Sequence, residues 1–246
     1  TLPPRALCIT FDDGYGDNAR VALPILQRHR LTATFFVATG YLGTGRMWND
    51  TVIESVRRAT LDVLDVGEIG LAGLPLRTPE FRRTAIASIL NAVRYQPDRE
   101  RQAMVDSIAR RVGVALPTDL MMTANEVRAL HQAGMTIGAH TVTHPILARL
   151  DDDTARNEIA NGRATLESII DAPVTLFAYP NGKPGMDYEA RHVELVRSMG
   201  FAAAVSTHWG SAQRQTSCFE LPRFTPWDRT KWRFGIRMAR NLMLQT

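Results

Sequence analysis

The chain reads as an α/β protein built on a parallel sheet, and three observations carry that expectation. Short apolar, β-rich runs alternate with amphipathic helical stretches along most of the 246 residues. Glycines and capping residues punctuate the alternation where one element ends and the next begins. Side chains able to do chemistry gather just after three of the strands, the place where parallel α/β folds concentrate them.

Arg5 to Phe11 is the first strand, closed by the turn Asp12-Asp13-Gly14, and Cys8 within it reads as a small core hydrophobe. Asp17 to Arg30 carries Val21, Ile25 and Leu26 at helical spacing despite Pro24, and Thr32 to Thr39 is the second strand. Strand, helix and strand make a βαβ unit. The segment from about Met47 to Leu120 departs from this rhythm. It has helical periods at Asp50–Ala59, Pro79–Tyr95 and Pro97–Val112, and no low-complexity linker bounds it. It is expected to be a helical insertion in a single domain spanning residues 1–246, not a domain of its own.

The alternation then resumes. Thr123 and Glu126 have capping-box spacing and open a helix that Gly134 ends. Met135 to Ala139 is a strand that ends at His140, and Asp151 to Ile170 is a helix with acids at its positive end. A strand over Val174–Tyr179, a helix over Tyr188–Met199 and strands over Phe201–Thr207 and Leu221–Phe224 follow. Thr230 to Leu244 is a last amphipathic helix. His192 falls inside the penultimate helix, where solvent is expected to reach it.

Composition narrows the classes without naming a function. A hydrophobic share of 45% excludes wholesale disorder. Lys and Arg number 29 against 25 Asp and Glu, and this excess of four, unclustered, argues against a nucleic-acid partner. Two cysteines, Cys8 and Cys218, are too few for a disulfide scaffold. No apolar run is long enough for a membrane span, and no secretory signal opens the chain as given.

The chemistry-bearing groups are Asp12-Asp13 after the first strand, His140-Thr-Val-Thr-His144 after the third and Tyr179-Pro-Asn-Gly182 after the fourth. Adjacent aspartates by themselves are ordinary in turns. Two histidines four apart are either separate loop residues or two ligands of one borderline metal ion. An aspartate on a neighbouring strand end favours a site of two His and one Asp with open positions, the pattern of a catalytic centre. Pro145 sets this apart from the helical arrangement of two zinc histidines.

Thr10-Phe-Asp-Asp-Gly14 and His140-Thr-Val-Thr-His144 resemble the first two motifs of the polysaccharide deacetylases, carbohydrate esterase family four, also called the NodB-homology domain. The resemblance covers roughly residues 5–40 and 120–225. It implies a deformed (β/α) barrel and a metal-dependent hydrolase that removes acetyl groups from the N-acetylated sugars of a polysaccharide or a lipid-linked glycan. Asp13, His140 and His144 would hold one divalent ion, zinc being the preferred candidate, and Asp12 would be the general base. The backbone N–H of Asn181, in the FAYP-like third motif Phe177–Gly182, would donate to the oxyanion. Tyr179, Trp48 and Trp227 are placed at the acetylated glycan, the sole partner implied. A periplasmic or cell-envelope location rests on the resemblance alone.

Two positions depart from the family pattern. Ala178 replaces the arginine that orients the catalytic aspartate, and Arg223 at the last strand end is either its substitute or an ordinary surface arginine. The late histidine that serves as general acid has no clear match. His208 is one candidate, and a segment preceding residue 1 is another source. These departures keep open a related amidohydrolase or deformylase acting on another C–N amide, and, further off, a non-catalytic carbohydrate-binding relative.

Overall fold

The computed structural model describes residues 6–225 and 228–243. They fall into two compact units, one formed by Thr1–Gly43 with Met122–Thr246 and one by Thr44–Met121. In chain order the first unit begins with strand β1 (Ile9–Phe11), a π-type turn (Asn18–Ala22) leading into helix α1 (Leu23–His29), and strand β2 (Ala33–Val37). Pro24 sits in the opening turn of α1, where its missing N–H costs nothing, which is why the helix tolerates it.

The second unit follows: α2 (Trp48–Arg58), β3 (Val63–Val66), β4 (Leu71–Pro75), α3 (Pro79–Val93) and α4 (Asp98–Val112). It has its own core, which includes Val52, Val56, Leu64, Ile89, Val105 and Ile108. The β3–β4 antiparallel pair, with Leu64 opposite Leu74, adds strand to a segment that the sequence suggested was helical. In the fold, Val63–Val66 alternates outward and inward, and the buried Leu64 and Val66 decide the pairing.

The chain returns to the first unit with α5 (Ala124–Gln132), β5 (Thr136–Ala139), α6 (Asp152–Ile170), β6 (Leu176–Ala178), α7 (Ala190–Ser198), β7 (Ala203–Trp209), β8 (Leu221–Arg223) and α8 (Lys231–Met243). Local chemistry sets several of these boundaries. Thr123 Oγ1 accepts from the Glu126 N–H at 3.2 Å while Glu126 accepts from the Thr123 N–H at 2.8 Å, the reciprocal cap expected for α5. Asp151 accepts from the Thr154 N–H at 2.7 Å and opens α6.

The sheet order is β1-β2-β5-β6-β7-β8, parallel throughout, so each strand lies beside the next one in this unit's sequence. Right-handed crossovers in a single direction put successive helices on one face, and the other face must then curl around itself. Laid flat, the outer strands would stand roughly 24 Å apart. Instead Arg223 at the end of β8 donates to Asp12, just past β1, at 2.6 and 2.7 Å. The sheet is therefore curled into an incompletely closed (β/α) barrel.

Inside the curl, β2 is buried on both faces. The Phe36 ring occupies the space beside Gly138, where a Cβ would meet it at 2.4 Å, and the Arg223 guanidinium lies 5.8 Å from the ring centroid. Phe35 points the other way and stacks on Phe11 at 4.8 Å.

Two side chains differ from expectation. Cys8 is exposed, because it precedes the three-residue β1 at the sheet's edge instead of lying within a strand. His192 is fully buried in α7, not solvated. Its Nδ1 accepts from the Glu189 N–H at 3.0 Å and its Nε2 is buried without a partner. Burial, with the Arg191 charge beside it, pushes the His192 pKa below its ordinary value. As pH falls through about 6.5 the unfolded chain therefore takes up a proton that the folded one refuses, so stability declines toward acid. His192→Gln can keep the cap without titrating. Urea midpoints between pH 5.5 and 7.5 are expected to show a flatter profile for this variant than for the natural chain. Parallel profiles would show that His192 does not contribute.

Candidate metal centre and active site

Two strand ends meet at one rim. Asp13 follows β1, and His140 and His144 follow β5. Their ligand atoms all lie within 4.8 Å of one another. Asp13 Oδ1 is 3.4 Å from His140 Nε2 and 3.3 Å from His144 Nε2. The His140 Nδ1–H donates to the Ala178 carbonyl at 2.7 Å, which turns Nε2 toward Asp13 and frees its lone pair for a cation. The donor set, two imidazole nitrogens and a carboxylate, suits a borderline divalent ion. Residues and group fit.

Burial opposes the Asp13 charge, but the His140 hydrogen bond and the His144, His140 and Arg223 charges outweigh it and hold its pKa at about 2. His140 shows the mirror image. Burial disfavours its cation, yet Asp13 and Asp12 draw its pKa above the ordinary value.

The backbone is strained at these same positions. Among the described residues six non-glycines have positive φ: Arg30 and Asp171 cap helices, while Asp13, Thr141, His144 and Asn181 belong to this rim. Such conformations persist only where surrounding contacts impose them. For the histidine loop those contacts come from two sides. The Thr39 and Gly40 N–H groups, just past β2, donate to the Thr141 and Val142 carbonyls at 3.2 and 2.8 Å. From α6, Glu158 accepts from the Val142 and Thr143 N–H groups at 2.9 and 2.8 Å and from the Thr143 hydroxyl at 2.9 Å. One helical turn on, Gly162 lets α6 approach, since a Cβ there would sit 2.8 Å from the Thr141 backbone.

Glu158→Ala is expected to weaken metal affinity by about 10–100-fold, the usual effect of losing a group that orients ligands. Glu158→Gln, whose amide oxygen can accept from the two backbone N–H groups while its NH2 donates to the Thr143 hydroxyl, is expected to stay close to the natural value. Competition titration with a metallochromic chelator reads both. Equal affinities in the alanine variant and the natural protein would remove Glu158 from this role.

Asp12 stands beside the metal group and is clamped by Arg223, whose Nη1 and Nη2 donate to its two oxygens. Arg223 is itself held by the Ser206 carbonyl at 2.9 Å and the Thr10 hydroxyl at 3.2 Å. The arginine at the last strand end is thus no surface residue. Asn181 stands at the end of the neighbouring β6, its carbonyl accepting from the Thr207 hydroxyl at 2.7 Å, and its N–H makes no hydrogen bond among the described residues.

The other expected site residues are placed differently. Tyr179 is fully buried, stacked on Tyr188 at 3.9 Å, with its hydroxyl donating to the Phe219 carbonyl. Its side chain packs the core and does not face a substrate, because alternation along the strand turns it inward. His208 is exposed near the end of β7, and no hydrogen bond or ion pair joins it to Asp12, Asp13, His140 or His144 among the described residues. Trp48 belongs to the second unit, where it packs on that core under Arg101, 4.9 Å from the ring centroid. Trp227 lies outside the described residues. Sequence reasoning passed over Glu158. Trp209 is half-exposed and meets Phe224 edge to face at 4.8 Å beside Arg223. Nothing local distinguishes Glu158 from the other polar residues of α6.

Comparison with known proteins identifies the family. The family model described as polysaccharide deacetylase matches residues 1–70 and 85–204. The chain belongs to the polysaccharide deacetylase family. Its match reaches into the Thr44–Met121 unit from both sides and omits only residues 71–84 there. Among curated relatives, the "Putative polysaccharide deacetylase YxkH" of Bacillus subtilis is 24% identical over 219 residues. The alignment takes in 89% of this chain and 50% of the relative, so the chain spans about half the length of that curated relative.

Among solved structures, the family fold recurs in the Streptococcus pyogenes deacetylase PplD in complex with acetate. The TM-score is 0.60 at 18% identity, over 98% of this chain and 72% of that one. IcaB from Ammonifex degensii matches with a TM-score of 0.56 at 16% identity, over 97% and 73% of the two chains. The deacetylase domain of BpsB from Bordetella bronchiseptica gives 0.55 at 13%, over 90% and 71%. At these identities the likeness is one of fold.

Proposed function

We propose that this chain is a metal-dependent hydrolase that removes acetyl groups from N-acetylated sugars of a polysaccharide or lipid-linked glycan. One observation carries the reading: a convergent Asp13–His140–His144 donor set beside a carboxylate, Asp12, that an arginine holds by both oxygens. Asp13, His140 and His144 would hold the ion, with zinc preferred for its nitrogen and carboxylate donors. When bound, it supplies Lewis acidity, lowering the pKa of water and polarising the acetyl carbonyl.

This chain's own residues supply the rest. Asp12 accepts the proton of the attacking water, and Arg223 fixes the carboxylate's direction and favours its ionised form. As water adds to the carbonyl carbon, negative charge grows on oxygen, and the free Asn181 N–H is the donor for it. The C–N bond then breaks, acetate leaves, and the sugar amine takes up a proton. Trp209, half-exposed beside Arg223, offers an aromatic face to a pyranose ring.

The test is a metal-replete panel of chitooligosaccharides, β-linked poly-N-acetylglucosamine and small formamides, scored for acetate and formate. Acetate from the glycans is the expected result, with about one zinc-like ion per chain. Formate alone would reassign the chain to a deformylase. Glycan binding with neither product would make it a carbohydrate-binding relative.

A further inference from the structure

Helix α8 presents two apolar faces, and the fold uses one. Phe234, Met238 and Asn241 lie on the inner side. Asn241 is buried, and Phe234 meets Phe224 at 6.3 Å between ring centroids. The opposite side carries Trp232 and Ile236, one turn apart, 85% and 69% exposed, with Ala239 continuing the strip. Isolated apolar residues on a surface are ordinary, but a tryptophan and an isoleucine stacked at i and i+4 make a patch.

Charge narrows what can cover it. The helix bears Lys231, Arg233, Arg237 and Arg240 and no acidic residue, and Arg229 precedes it. Arg237 pairs with Asp228 at 2.9 Å. Lys231, Arg233 and Arg240 have no acidic partner among the described residues. On a helical wheel Arg233 and Arg240 flank one side of the Trp232–Ile236 strip and Lys231 the other. An apolar strip headed by tryptophan and bordered by unpaired cations is the layout of a helix that lies in the headgroup region of an anionic bilayer. No helix among the described residues is long and apolar enough to cross a membrane, so the contact is one of surface docking.

The position of α8 gives the docking a consequence. Its inner face rests on Phe224, which directly follows Arg223, and its Arg237 lies 5.8 Å from the Trp209 ring centroid. The helix is therefore attached to the strand ends that hold Asp12. We infer that α8 docks the chain on anionic lipid headgroups through Trp232 and Ile236, bringing the rim of the site to glycan at a membrane surface. The consequence for substrate rests on the deacetylase reading, whereas the docking does not.

Co-sedimentation of the whole chain with phosphatidylcholine vesicles, with and without 30% phosphatidylglycerol, tests the docking. Binding is expected only to the anionic vesicles, lost between 0.1 and 0.5 M salt, since screening weakens each cation's contribution of roughly fivefold. Trp232→Ser with Ile236→Ser is expected to weaken it at least tenfold, and Arg233→Gln with Arg240→Gln to weaken it by a similar factor. All four positions are exposed, so melting temperature and turnover of soluble chitooligosaccharides should not change. Absence of binding to anionic vesicles, or binding indifferent to both double variants, overturns the docking. Self-association abolished by Trp232→Ser without any vesicle binding would assign the strip to a second copy of this chain and overturn it as well. Vesicle binding in a protein that releases no acetate would leave the docking intact and remove only the deacetylase reading.

Discussion

Asp12→Asn is expected to lower kcat on an acetylated glycan by about 10²–10⁴-fold, the range supplied by a positioned general base, while the protein keeps its metal. The two properties separate because Asp13, not Asp12, faces both histidines. An amide accepts no proton at neutral pH, so the attacking water loses its base while the ion's donors stay in place. Arg223 gives this prediction a second arm. Its guanidinium binds both Asp12 oxygens from the far edge of the curled sheet, and Thr10, the Ser206 carbonyl and the Phe36 ring hold it in turn.

Arg223→Ala leaves Asp12 free to rotate, and misplacement on the order of 1 Å is enough for about 10²-fold in rate. In an Asp12→Asn background the same change should cost little more, because the two residues act as one unit. Steady-state kinetics and metal content on the four proteins decide it. Full activity in Asp12→Asn would remove the base assignment, and strictly additive losses would place Arg223 elsewhere in the reaction.

Removing the metal is expected to have an effect at least as large. Chelation, or His140→Ala, should lower activity on the order of 10³-fold or more, since Lewis acidity is worth several kcal/mol of barrier. Added zinc should restore the chelated natural protein and fail to restore His140→Ala. The acid side of the metal-binding profile follows from the neighbours of His140. Asp13 and Asp12 raise the pKa of His140 in the metal-free protein, so a proton competes with the ion at its Nε2 even above the ordinary histidine range. Lowering pH fills that position with the proton, and apparent affinity falls. Titrations at pH 8 and pH 6 should differ by at least about tenfold in favour of pH 8. A flat profile would mean that these histidines are not the donors.

Local patterns made much of this readable in the amino-acid sequence. Short apolar, β-rich runs and helical spacing located the strands and α-helices of the first unit, because burial leaves its mark within a few neighbouring residues. Thr123 with Glu126 marked the start of α5 through a cap that spans four residues. Asp13, His140 and His144 stood out because ligation demands particular residue types at turns that follow strands.

Residues whose role depends on distant neighbours were harder to read. The β3–β4 pair was hidden by glycines, His192 by a helix that buries what looked like a solvated face, and Tyr179 by a strand that turns it inward. Glu158 stands fourteen residues past His144 in a polar stretch of helix, and only the approach of α6 permitted by Gly162 gives it the loop to hold.

By itself, then, the sequence determined the α/β alternation and the residue types of the candidate metal group, since both rest on patterns within a few positions. Tertiary structure alone decided that Arg223 pairs with Asp12. The two are separated by 211 positions and by the full width of the sheet. Only the curling of parallel strands, driven by helices packing on one face and Phe36 filling the other, brings the two edges within reach of one guanidinium.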